Sequence, residues 1–327
     1  MKTKNIIFII ILVFLSRSHS SAADKVAQSK MPFVSIGLSS RAEAMGGAFT
    51  AMGADASSIF YNPASIAYLE GRNVSLNNVS WIADIGIMSG LFSYHLDDIG
   101  TFSLNYVSVD YGTMTRTIVD AHSWTSYQDL GEFSVSEYVF GLGYAKQLTD
   151  RFSVGGQIKY IYQDLGQTEQ NYNTGTSLEK TETVSNIDDV IAFDIGTYYN
   201  FGYKGIKIGM AIQNFANKAI PLTFRFGFSI EVNQIFFPES LYHKLIFAWD
   251  GLHPRDSGER QHYGLEYSYL SRYFLRAGYK ANYDREDFSL GAGANINVYG
   301  VGIQVDYAYS HFEIFNSVNR FSISLKF

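Results

Sequence analysis

The sequence contains no cysteine and only five prolines among 327 residues. The first absence excludes a disulfide framework, thiolate metal sites and a cysteine nucleophile. The second leaves no proline-rich linker, and no serine-rich stretch divides the chain in its place. Long apolar runs are missing too. The best candidate, Ile6 to Leu15, is too short to cross a bilayer as a helix. Lys2 and Lys4 precede it and Ser20-Ser21-Ala22-Ala23 follow, the pattern of a secretion signal (residues 1–23) cleaved before Asp24. Basic charge is scarce: 25 Lys and Arg face 31 Asp and Glu, net -6, and loss of Lys2, Lys4 and Arg17 with the signal leaves 22 against 31, or -9. That balance gives no reason to expect a nucleic-acid partner. The seven histidines fall in no HExxH or zinc spacing, and GxSxG is absent. His262 and Ser268 share one expected strand but lie six residues apart without a carboxylate to orient them. The expectation is a non-enzymatic protein with no catalytic residue, cofactor or metal.

What the chain does have is aromatic content of 16% at a mean hydropathy of -0.04. Strict alternation reconciles the two numbers. The chain ends Asn319-Arg320-Phe321-Ser322-Ile323-Ser324-Leu325-Lys326-Phe327, which sets Phe321, Ile323, Leu325 and Phe327 against Arg320, Ser322, Ser324 and Lys326. Val190 to Phe201 and Leu222 to Glu231 repeat the pattern, with Ile191, Phe193 and Ile195 opposing Ala192, Asp194 and Gly196, and Phe224, Phe226 and Phe228 opposing Arg225, Gly227 and Ser229. Such a wall has lipid outside and water inside. From Arg72 onward fourteen segments of this kind can be counted, the first three alternating poorly, an even number whose last strand can pair with the first and leave no open edge in lipid. The fold class is therefore an all-β transmembrane protein, an antiparallel outer-membrane β-barrel of about fourteen strands over residues 72–327. Its partners follow from that class: outer-membrane lipid, and the barrel assembly machinery reading the terminal Phe327.

Connections sort by length. Asp97-Asp98, Thr149-Asp150, Tyr203-Lys204, Ser271-Arg272 and Val298-Tyr299 are short, whereas Asp110 to Glu132, Asp164 to Asp189, Gly251 to Glu259 and Phe312 to Val318 are long. Long loops outside and short turns inside put both termini in the periplasm. The charges Lys159, Asp194, Lys207, Arg225, Glu231, Glu266, Arg276, Lys280 and Asp306 all fall on the inward face, and their mixed sign implies mutual pairing, or pairing with Arg41 and Glu43, in preference to an ion-selective ring.

Residues 24–71 break the alternation and are rich in small side chains. Asn62 is a good N-cap with Pro63 at the first helical position, predicting a short helix to Tyr68, and Asp55 can cap another turn into Phe60. Gly46-Gly47 permits a tight bend or a close backbone approach. A fourteen-stranded wall would leave a lumen of intermediate width, so this segment is expected to be a plug.

The plug motif is carried by Arg41, Met45, Gly46, Gly47, Asp55, Asn62, Pro63 and Ala64. The run Arg41-Ala-Glu-Ala-Met-Gly-Gly-Ala-Phe-Thr-Ala, then Asp55-Ala-Ser-Ser and Tyr61-Asn-Pro-Ala64, resembles the N-terminal signature of the PorV/PorQ family of outer-membrane proteins. More distantly the chain is similar to the FadL long-chain fatty acid transporters, which share an Asn-Pro-Ala plug and a fourteen-stranded barrel. The first resemblance implies a role in protein export or surface attachment of the type IX kind, with secreted cargo or attachment components as partners. The second implies transport of fatty acids or other hydrophobic small molecules. Polar outer loops around Trp124, Tyr127 and Tyr172 fit protein contact and favour the first.

Overall fold

The computed structural model describes residues 29–119, 124–172, 180–233, 240, 242–315 and 317–327. The expected signal lies outside the described residues. Sixteen strands are formed among them: β1 (Arg72–Ser80), β2 (Gly86–Leu96), β3 (Gly100–Asp110), β4 (Met114–Val119), β5 (Tyr127–Phe133), β6 (Ser136–Thr149), β7 (Phe152–Tyr172) and β8 (Lys180–Asn200) come first. β9 (Lys207–Ala216), β10 (Thr223–Glu231), β11 (His243–Pro254), β12 (Arg260–Tyr269), β13 (Tyr273–Ala281), β14 (Glu286–Val298), β15 (Val301–Phe312) and β16 (Val318–Lys326) complete the chain.

Fourteen of these close an antiparallel barrel, and β4 and β5 form a separate hairpin. Closure joins β1 to β16, with Asn73 opposite Lys326 and Ser80 opposite Asn319. Phe327 extends the ladder by one step, exchanging two backbone hydrogen bonds with Arg72. Lys326 also bonds the Glu70 carboxylate at 3.0 Å and holds it below its ordinary pKa. No unpaired edge remains for lipid to meet.

Alternation is physical, as the lipid face shows. Leu104, Leu142, Ile158, Ile195, Met210, Leu275 and Phe321 are exposed, while their strand neighbours Ser103, Gln157, Asp194, Arg276 and Ser322 are buried. An exposed apolar belt of this extent is tolerable only in a bilayer. Among the described residues no helix is long and apolar enough to cross it; the strands do. The turn end of the barrel, where both β1 and β16 meet the termini, carries the tight connections, with Asp98, Lys204, Ser271 and Tyr299 at positive φ.

Two connections differ from expectation. Asp164 to Asp189 is not a loop: β7 and β8 each run 21 residues and stay paired through Tyr172 and Lys180, with one bulge at Gly166. At about 3.3 Å per residue each strand is about 70 Å long, twice what a tilted strand needs to span hydrocarbon. Beyond the bilayer neither face must be apolar, so Thr168, Thr181 and Thr183 continue the ladder without alternating. Asp110 to Glu132 likewise contains the β4–β5 hairpin.

Residues 31–69 lie within the lumen. Ser39 caps a five-residue helix, α1 (Ser40–Ala44), and single 3₁₀ turns follow at Ala56–Phe60 and Pro63–Tyr68. Asp55 and Asn62 cap those turns as expected, through Ser57 N at 2.8 Å and Ala64 N at 3.1 Å. α1 packs against β13 to β16, and the Pro63 turn against β6, β7 and β8.

Candidate functional site

The lumenal segment is held to the wall by buried polar groups on both sides. Arg41 forms a two-pronged contact with Glu266 of β12, 2.9 Å on each arm, and a third bond to Asp55 at 3.0 Å. Glu266 also accepts from Arg276 at 2.6 Å, and Arg276 reaches Asp306 at 2.6 Å. Glu43 accepts from Lys280 at 2.8 Å and from the Tyr61 hydroxyl at 3.0 Å, with Arg320 3.8 Å away. Lys159 pairs with Asp194 at 2.8 Å. Inward charges thus neutralise one another and the segment, as their mixed sign requires. Buried ions are tolerated because each is compensated.

Each residue of the plug motif has a place. Gly46 and Gly47 sit at φ 65° and 75°, and the chain there presses on the wall so closely that a Cβ on Gly278 would lie 1.9 Å from Gly46 N. Gly46 N donates to Ser289 Oγ at 3.1 Å, and Gly47 O accepts from Arg225 at 2.7 Å. Met45 is fully buried. Asn62 donates from Nδ2 to Thr50 O and Thr197 O at 2.9 and 3.0 Å, tying segment to wall. The Ala64 carbonyl accepts from Ser153 at 3.0 Å, and Pro63 seats against Gly155 of β7. Phe327 is far from this cluster, at the seam.

Asp250 of β11 escaped the sequence reading. Its Oδ2 accepts from Phe49 N and Thr50 N at 3.0 Å, Thr50 Oγ1 at 2.6 Å and Arg225 at 3.1 Å. The available signal was the run Phe247-Ala248-Trp249-Asp250, a carboxylate at an inward position. His262 and Ser268 do both face the lumen, yet His262 Nε2 bonds Tyr283 Oη at 2.7 Å and not Ser268, so these two are not paired as a nucleophile and its base. Burial raises the pKa of the Tyr283 hydroxyl, in the connection after β13, against the opposing pull of Lys280.

Toward the loop end, one side of the lumen turns apolar. Val79, Ile87, Val107, Val109, Val139, Ile161, Val190 and Val318 face inward and pack with Met31, Phe33 and Leu38 of the segment. Between Phe33 to Leu38 and this wall lies a cavity of about 390 Å³, lined by Trp81, Phe60 and Phe312 and, on its other side, by Arg225, Arg260, Lys280 and Arg320. The volume is within the usual range of small-molecule sites.

No protein-family model matches the chain, and no curated protein matches it in sequence. Solved structures do. The Ralstonia pickettii toluene transporter TbuX superposes with a TM-score of 0.57 at 13% identity, over 88% of this chain and 97% of that one. A Pseudomonas aeruginosa FadL homologue follows at 0.53 and 11%, over 88% and 97%, and the P. putida toluene transporter TodX at 0.53 and 12%, over 87% and 96%. The fold is that of FadL-type outer-membrane barrels. At these identities the likeness concerns fold alone, and it lends the nearer PorV/PorQ resemblance and its secretion role no support.

Proposed function

We propose that this chain is an outer-membrane conduit for small, mainly apolar molecules, with both termini periplasmic and residues 31–69 acting as its plug. The observation that carries the reading is the apolar side of the loop-end cavity, built jointly by Phe33, Ile36 and Leu38 of the segment and by Val107, Val139 and Ile161 of the wall, and faced across the cavity by charged groups such as Arg225, Arg260 and Lys280. A lumen that only had to be closed could be polar throughout. Water-facing apolar side chains in a cavity of this size instead offer a solute burial at about 25 cal/mol per Å². The transporters of like fold, whose stated solutes include toluene, support the same direction. The polar outer loops support protein cargo less than the apolar wall inside the barrel supports a small solute.

The test is uptake. Cells producing the protein should accumulate trace labelled toluene or a medium-chain fatty acid faster than a deletion strain, and Ile161→Glu, which places a carboxylate in the cavity wall, should abolish the gain. Equal uptake in the two strains, together with exported proteins retained in the periplasm of the deletion strain, would replace the conduit with the secretion role.

A further inference from the structure

At the lower edge of the cavity's apolar side two carboxamides converge. Asn105 on β3 stands opposite Gly141 on β6, and Gln157 on β7 stands opposite Gly143 on β6 and Asp194 on β8. Both side chains point inward, line the cavity and are almost wholly buried, at 1% and 4% exposure. Gly141 leaves the room for them: a Cβ there would fall 2.3 Å from Gln157 Nε2 and 2.6 Å from Asn105 Oδ1.

Among the described residues, none of the four polar atoms of these two amides has a hydrogen-bond partner. Other buried lumenal amides are satisfied: Asn62 by Thr50 and Thr197, Asn77 by Ser89, Gln213 by Phe60 O and Asn214 by Pro221 O. A buried amide left unpaired is unfavourable, so a pair of them on one cavity wall needs a reason. The adjacent charges supply none. Lys159 and Asp194 are bonded to each other, and Asp194 also accepts from Asn214 N at 2.7 Å.

We propose that Asn105 and Gln157 are a recognition subsite for an uncharged amide, so that the preferred solute is an apolar body bearing a carboxamide, lactam or imide and not a bare hydrocarbon. This rests on the conduit reading and narrows its substrate class. Each carboxamide presents one acceptor and one donor group, and the complementary ligand must both donate and accept. A carboxylate only accepts and would leave both side-chain carbonyls facing it; a hydrocarbon would leave all four atoms bare. Val107 lies one inward-facing position nearer the loop end than Asn105, about 7 Å above, and Ile161 two positions nearer than Gln157, about 13 Å above; with Val139, paired to both, they would hold the apolar body.

Benzamide and toluene form a matched pair of neutral probes, with benzoate as the anionic one. Their binding to the purified full chain is measured for the parent and for Asn105→Leu, Gln157→Met and the double variant. Because the side chains have no hydrogen-bond partners to lose among the described residues, the variants should keep the parent's heat-modifiability and melting temperature. The parent should bind benzamide about tenfold or more tighter than toluene or benzoate, and the double variant should erase that preference while leaving toluene unchanged. Gly141→Ala, whose methyl intrudes on the flexible ends of both amides, should do the same. Equal affinity for benzamide and toluene in the parent would mean that the amides are merely hydrated, and would overturn the proposal. So would a preference that survives in the double variant, or variants that fail to fold because the amides serve the wall. Variant-sensitive benzamide binding without faster cellular uptake would retain the subsite and remove the conduit reading instead.

Discussion

Replacing Asp250 with leucine should release the middle of the lumenal segment from the wall. One carboxylate oxygen accepts four donors here, two of them the backbone N–H groups of Phe49 and Thr50. Its loss strands the guanidinium of Arg225 without a counter-charge, at about 3–5 kcal/mol, and orphans the two N–H groups at about 1–3 kcal/mol each. These terms share an atom and do not add, so about 5 kcal/mol is the working figure, roughly three to four decades in the ratio of docked to undocked segment. The chain contains no cysteine, so Ala51→Cys supplies a unique thiol at a position 1% exposed in the docked state. Maleimide labelling of that thiol in detergent-solubilised barrel should be about a thousandfold faster with Asp250→Leu. Adding Arg225→Met removes the stranded charge and should recover at least about tenfold, because an apolar pair is better tolerated than half an ion pair. Labelling within about threefold of the parent, or no recovery in the double variant, would refute the view that a compensated buried charge holds the segment in place.

Deleting residues 31–69 should leave a heat-modifiable barrel that admits large hydrophilic antibiotics faster than the parent; unchanged permeability would show that wall and loops close the pore unaided. Gly278→Val, which drives side-chain carbon into the Gly46 backbone, should raise the same permeability while yield stays normal, and tight closure would mean that the segment shifts to accommodate it. Deleting Phe321 to Phe327 removes most of β16 and reopens both β1 and β15, so the product should be degraded or periplasmic, and normal outer-membrane yield would show closure by another route. A cysteine in the β7–β8 extension at Thr168 should be labelled on intact cells and one at Thr149 should not; the reverse would invert the orientation.

The barrel was legible because lipid imposes one simple rule on every spanning strand. Where inner positions are polar, as in β8, β10 and β16, alternation gives strand and facing directly from Ile191, Phe193 and Ile195 or from Phe321, Ile323 and Leu325. The caps at Asp55 and Asn62 were legible for a similar reason, being local bargains between a side chain and the next two residues. What the pattern hid is what the site depends on. In β3 the outward Tyr106 alternates with Val107 and Val109, which face inward and are buried. Apolar side chains on both faces erase the period-2 signal, so the early strands read as irregular where they line the apolar cavity. The failure of alternation there was therefore information about the lumen, not noise in the strand assignment. Asn105 was hidden by the opposite effect. An inward amide in a barrel wall fits the rule so well that nothing marks it, and only its neighbours reveal that none of the described residues answers it. Asp250 and the β7–β8 extension complete the same argument: both depend on pairing across more than a hundred residues or on strand continuing where lipid has stopped, and neither leaves a periodic trace. A sequence rule derived from the bilayer thus describes the surface that meets the bilayer, and grows silent in proportion as a residue's environment is set by the interior instead.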